Sequence, residues 1–241
     1  MAKKSKVASK KSAEEHAPTV TDYMENPEAL QESLSKSQEF ATSHKNLLTG
    51  VFAAVILVLG GFFYYQWYNS NQEVTAQEQL FPAIFYLEKD SLNKALDGDG
   101  NFTDGFVAIA EDYSSTKAGN LASFYAGVSY LKLGEFDNAI TYLEQFDESG
   151  VLIEAREYCL LGDAYMEKGD FANAVTNYKK ASETDPNKEF TSIYLMKLAL
   201  AYEATDDFES AREAYQKIID NYKDSQELSK AKRYLAKIAK K

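Results

Sequence analysis

Residues Glu157–Pro186, EYCLLGDAYMEKGDFANAVTNYKKASETDP, decide how this chain folds, because two other stretches repeat their plan. Residues 121–146 read LASFYAGVSYLKLGEFDNAITYLEQF, and residues 194–219 read YLMKLALAYEATDDFESAREAYQKII. Gly127, Gly162 and Ala199 correspond, at intervals of 35 and 37 residues. Three residues after each comes a tyrosine (Tyr130, Tyr165, Tyr202), and nine residues after each tyrosine comes an alanine (Ala139, Ala174, Ala211). The turns Leu133-Gly134-Glu135-Phe136, Lys168-Gly169-Asp170-Phe171 and Thr205-Asp206-Asp207-Phe208 split each unit into two helices. The small residue lets the two helices approach closely. The tyrosine, with Leu131, Leu161 and Leu198, fills the space between them, and the alanine admits the next unit. Such a hairpin buries its apolar face only by stacking on its neighbours.

This pattern resembles the tetratricopeptide repeat, with units expected at about 120–152, 155–187 and 192–224. Beyond them, SQELSKAKRYLAKIAKK places Leu228, Tyr234, Leu235 and Ile238 on one face, so residues 225–240 read as the capping helix that closes such an array. The first helix of each unit lines the inner face of the stack. By helical spacing, that face presents Leu121, Phe124, Val128 and Leu131 from the first unit, Arg156, Cys159, Asp163 and Met166 from the second, and Ile193, Met196, Leu200 and Glu203 from the third. Methionines suit an adaptable binding surface. Two readings follow: an open docking groove, or a core covered by residues 76–112.

Residues 73–119 lead into the repeats. A helix is expected through VTAQEQLFPAIFYLEKDSLNKAL, with Pro82 either kinking it or starting a new one. Asp97–Asn101, DGDGN, begins like a calcium loop, but Ala108 stands where a bidentate glutamate is required, so it reads as a turn. A short helix over 103–112 follows.

Further back lies LLTGVFAAVILVLGGFFYYQW, residues 47–67, within a run free of charge from Lys45 to Glu73. Twenty-one helical residues span about 30 Å, the thickness of a bilayer's hydrocarbon core. Phe62, Phe63, Tyr64, Tyr65, Trp67 and Tyr68 gather at its far end, where amphipathic rings favour the headgroup level. About 46 residues precede the run and no small-residue cleavage site follows it, so residues 46–69 read as a retained signal-anchor rather than a cleaved leader. Gly50, Ala53, Ala54, Gly60 and Gly61 within it permit close helix–helix contact in a bilayer. Lys36 and Lys45 precede the anchor and Glu73 and Glu78 follow it, which puts the N-terminus in the cytoplasm. Residues 1–25, lysine- and serine-rich, read as a disordered tail, and 26–45 as an amphipathic juxtamembrane helix opening at Asn26-Pro27. The expected fold is therefore all-α: one transmembrane helix, then a repeat solenoid over 73–241.

Composition bounds the function. The chain has 241 residues and a net charge of −11. Residues 1–72 balance seven lysines against seven acidic residues, so the whole excess of negative charge falls beyond the anchor. That argues against nucleic acid and anionic lipid as the main partner. Both histidines, His16 and His44, precede the anchor, which leaves the repeats without histidine-based triads or zinc ligands. Neither GxGxxG nor GxxxxGK occurs, and Cys159, alone, reads as a buried inert thiol. No enzyme, cofactor, metal or small-molecule substrate is indicated; a non-enzymatic interaction surface is.

The whole plan resembles the ancillary SecYEG translocon subunit family of bacterial envelope proteins. The resemblance is carried by SQEFATSHK (37–45), the apolar helix, and the aromatic exit FFYYQWYNSNQ (62–72). It implies an inner-membrane, single-pass protein with a periplasmic repeat domain. It further implies association with SecYEG and a membrane-anchored prolyl isomerase chaperone during protein secretion. A repeat scaffold for another envelope complex (outer-membrane protein assembly, cell division or motility) is the alternative.

Overall fold

The computed structural model describes residues 27–100, 103–147, 151–184, 186–187 and 189–239. The tail expected over 1–25 lies outside them. The chain divides into two units at Tyr64–Tyr65. In the first, α1 (Pro27–Ser43) ends one residue before α2 (Lys45–Glu88) begins. Phe40 and His44 stack at the junction, ring centroids 4.5 Å apart. Leu30 and Leu34 on α1 are exposed, as are the apolar side chains from Leu47 to Tyr64. Nothing lies within 4 Å of a Cβ built on Gly50, Gly60 or Gly61, and Ala53 and Ala54 are exposed with them. Among the described residues, α2 is the one helix long and apolar enough to cross a membrane.

The second unit begins inside α2, which does not stop at Pro82 but continues to Glu88. An interior proline removes a hydrogen bond and costs about 3 kcal/mol. Burial offsets that cost: Ala76, Leu80 and Ala83 enter a core with Ala95, Leu96, Phe106, Ile109 and Ala122. Two short helices, α3 (Leu92–Asp97) and α4 (Phe106–Asp112), complete this layer. In the loop between them, Asp99 Oδ1 accepts the Thr103 N–H at 3.1 Å, so that carboxylate closes the turn.

Three helical hairpins follow: α5 (Lys117–Leu133) with α6 (Phe136–Gln145), α7 (Val151–Glu167) with α8 (Phe171–Thr184), and α9 (Thr191–Ala204) with α10 (Phe208–Asn221). Each turn uses one device. The carbonyls of Tyr130, Tyr165 and Tyr202 accept the N–H groups of Glu135, Asp170 and Asp207 at 2.9, 2.9 and 3.0 Å. That closure needs a left-handed residue just before the donor, supplied by Gly134 (φ 79°), Gly169 (φ 76°) and, in the third hairpin, Asp206 (φ 59°). Each second helix then starts on an aromatic residue, Phe136, Phe171 or Phe208.

The small residues stand where the sequence plan requires them. A Cβ on Gly127 would lie 2.6 Å from Leu143 Cγ, and one on Gly162 2.5 Å from the Tyr178 ring. In the third hairpin Ala199 takes the corresponding place, fully buried in the same core as Tyr215. The last helix, α11 (Leu228–Ile238), is shorter at both ends than expected and buries Ala231 and Ile238 against α10, while the Tyr234 ring stacks on Tyr215 at 5.9 Å.

Candidate protein-binding groove

A cleft of about 630 Å³ runs across all three hairpins. Leu131 and Phe136 line it from the first, Asp163, Met166 and Tyr178 from the second, and Lys197 and Leu200 from the third. Four residues expected on the inner face therefore meet here: Leu131, Asp163, Met166 and Leu200. Leu131 stands two residues before the end of α5 and Met166 one residue before the end of α7, so the cleft lies toward the turns of the hairpins.

The polar heart of the cleft is a three-residue cluster. Asp163 Oδ1 accepts the Tyr178 hydroxyl at 2.7 Å and Lys197 Nζ at 2.5 Å. Burial pushes the Tyr178 phenol above its ordinary range, and the Asp163 charge adds to the effect, so the hydroxyl stays a donor. The Lys197 side chain keeps about a third of its surface in water, with Nζ 5.9 Å from the centroid of the Tyr178 ring. Leu131, Phe136, Met166 and Leu200 thus set apolar walls around one held ammonium and one held carboxylate.

The remaining expected residues go elsewhere. Leu121 joins the layer formed by α2, α3 and α4, because those helices cover the N-terminal part of α5. Phe124 and Val128 pack between the first two hairpins against Leu160, Leu161 and Ala164, with Phe124 also 5.3 Å from Phe146. Cys159 and Met196, expected on the open face, are only 5% and 6% exposed and belong to the core between the second and third hairpins. The reason is stacking: α7 and α9 each face helices on two sides, and the face that spacing assigns to solvent is partly taken by the next unit. Arg156 is exposed. Ile193 borders a separate cavity of about 680 Å³ with Asp220 and Tyr222. Glu203 accepts the Tyr215 hydroxyl at 2.6 Å and lies 3.9 Å from Lys237, which ties α9 to α10 and α11.

The covering role considered for residues 76–112 is thus divided. Their core packs against the half-buried Leu121, but they do not line the cleft around Met166. Sequence reading missed Lys197 and Tyr178. A usable signal existed: Lys197 follows Asp163 by 34 residues, one repeat length, which stacks the two on adjacent units.

Burial pushes the Cys159 thiol up to about 12, with the Asp163 charge second, and a thiol so held stays protonated. Ion pairs and hydrogen bonds link successive hairpins at their rims. Lys168 pairs with Asp137, and the Tyr165 hydroxyl donates to Glu144 at 3.1 Å.

None of the curated proteins matches this chain. Tetratricopeptide repeats, the modules of protein–protein interaction scaffolds, are matched over residues 121–149 and again over residues 154–224. Among the described residues the fold is all-α: a long apolar helix leads into helical hairpins that are similar to tetratricopeptide repeats, closed by a C-terminal helix.

Proposed function

We propose that this protein is a non-enzymatic, membrane-anchored interaction subunit of the bacterial envelope, serving the SecYEG translocon. Its partners are the translocon and a membrane-anchored prolyl isomerase chaperone, between which the repeats hand over emerging secreted chains. The N-terminus is cytoplasmic and the solenoid periplasmic. The observation that carries the reading is one chain combining a helix of membrane-spanning length and composition with a cleft drawn from three repeats. The aromatic exit from the apolar helix and its preceding SQEFATSHK segment support the translocon as partner by resemblance. The acidic balance of the solenoid favours protein over nucleic acid.

Gentle solubilisation of membranes and affinity capture of the full chain tests this. SecY is expected to co-purify, and its clean absence sinks the translocon assignment in favour of another envelope complex. Photocrosslinkers at Met166 and Leu200 are expected to capture a polypeptide in intact cells. Adducts from the apolar helix alone would move the interaction site from the cleft to the membrane.

A further inference from the structure

Beyond Tyr65, α2 carries two parallel stripes of the same period. Asn69, Glu73, Ala76, Leu80, Ala83 and Leu87 follow one another at alternating steps of four and three residues, and this stripe serves the protein's own solenoid. Ala76, Leu80 and Ala83 are buried, and Leu87 packs on the same core. Asn69 Oδ1 accepts the Ser115 hydroxyl at 2.9 Å, and Glu73 Oε2 accepts the Lys117 N–H at 2.6 Å. The second stripe, Trp67, Asn71, Val74, Glu78, Phe81 and Phe85, has the same four–three steps on the opposite side of the helix, and it is exposed throughout. Phe81 is 76% exposed, among the most exposed large apolar side chains of the chain.

Alternating steps of four and three are the seam of a left-handed coiled coil, and a stripe offset by half a turn corresponds to its outer positions. We infer that the Trp67–Phe85 stripe is the seam of a parallel homodimer, with a second copy of this chain as its occupant. Three observations favour a second copy over other occupants. The spacing continues backwards in the sequence through Tyr64, Gly60, Leu57, Ala53 and Gly50, so the register spans about five heptads. In the parallel, in-register pair that a shared membrane imposes, each seam residue meets its own counterpart. Asn71 falls at the position where a lone asparagine fixes register in parallel dimers, and its amide both donates and accepts, so it pairs with itself. Finally, residues 46–88 contain no basic residue and include Glu73, Glu78 and Glu88, which disfavours an anionic lipid surface as the cover. Pro82 stands beside the seam, not in it. Glu78 is the discordant member, since the pair places like charges at an inner position, and it sets the association below what an apolar residue would allow.

The inference does not depend on the translocon assignment, because its readout is self-association of the purified full chain. In detergent micelles, sedimentation is expected to give twice the chain mass. The pair Phe81→Glu and Phe85→Glu is expected to give the monomer with unchanged helical circular dichroism, since both rings are exposed. Glu78→Leu is expected to tighten the dimer severalfold. Single cysteines introduced at Val74 and Phe81, with the buried Cys159 left in place, are expected to form disulfide-linked dimers severalfold faster than cysteines at Thr75 and Gln77. A monomer at every concentration, or crosslinking without this periodicity, overturns the inference.

Discussion

The Glu73 carboxylate accepts the backbone N–H of Lys117 at 2.6 Å and reaches that of Ala118 at 3.3 Å. These are the first two amides of α5, which lack partners within the helix, and the carboxylate also meets the positive end of the helix dipole. Thr116 accepts the third free amide, that of Gly119, at 2.9 Å. The helix that leaves the apolar segment is therefore fastened to the start of the first repeat. Glu73→Ala should lower the stability of the solenoid by about 1 kcal/mol. Thermal unfolding of the full chain, followed by circular dichroism, measures it; an unchanged midpoint would show that water replaces the carboxylate without loss.

Close helix approach in the second repeat depends on Gly162. An added methyl would sit 2.5 Å from Tyr178, whose ring is buried and whose hydroxyl is committed to Asp163. Gly162→Ala should cost about 1–3 kcal/mol. The reciprocal change, Ala199→Gly, should cost about 1 kcal/mol through helix propensity, with the lost buried methyl adding to it. Urea midpoints of both variants test the pair, and a neutral Gly162→Ala would mean that α7 and α8 part without penalty.

Stability should fall in alkali for an identifiable reason. Burial first, and then the neighbouring carboxylates, holds the phenols of Tyr142, Tyr178 and Tyr215 above the ordinary value of 10.0, that of Tyr142 at about 12. Folded values above the unfolded one mean that this stabilisation is complete below pH 10 and is lost as pH rises through the folded values. Denaturant midpoints should drop between pH 10 and 12. Tyr142→Phe should soften the drop, and a midpoint independent of pH across that window would refute the assignment.

Cys159 should resist thiol reagents in the native protein, because it is 5% exposed and its thiol is pushed up to about 12. Full labelling is expected only in denaturant. Rapid native labelling would show that the second and third hairpins separate readily.

Asp163 bridges the second and third repeats through Lys197, and both side chains remain partly in water. Asp163→Asn keeps the hydroxyl acceptor but removes the charge, so the stability loss should stay within about 1 kcal/mol. Peptide or client crosslinking in the cleft should change more than the unfolding midpoint does. Equal sensitivity of the two readouts would mean that the cluster is structural alone.

The period, the turns and the apolar helix are legible from local residue order alone. Small residue, tyrosine and alanine recur at fixed offsets, and each offset has one steric purpose that any neighbour of similar shape satisfies. A run of 27 uncharged residues between Lys45 and Glu73 likewise needs no partner to be read. Which side chains face the cleft depends on how the hairpins stack. Helical spacing assigns a residue to a side of its own helix but does not say how far the next helix reaches around it. Cys159 and Met196 were drawn into the core on that account, while Leu131, Asp163, Met166 and Leu200 were left to line the cleft. Pro82 shows the same limit. Local chemistry favours ending a helix there, yet burial of Leu80 and Ala83 on either side carries it through. What spacing leaves open, contact with residues far away in sequence settles.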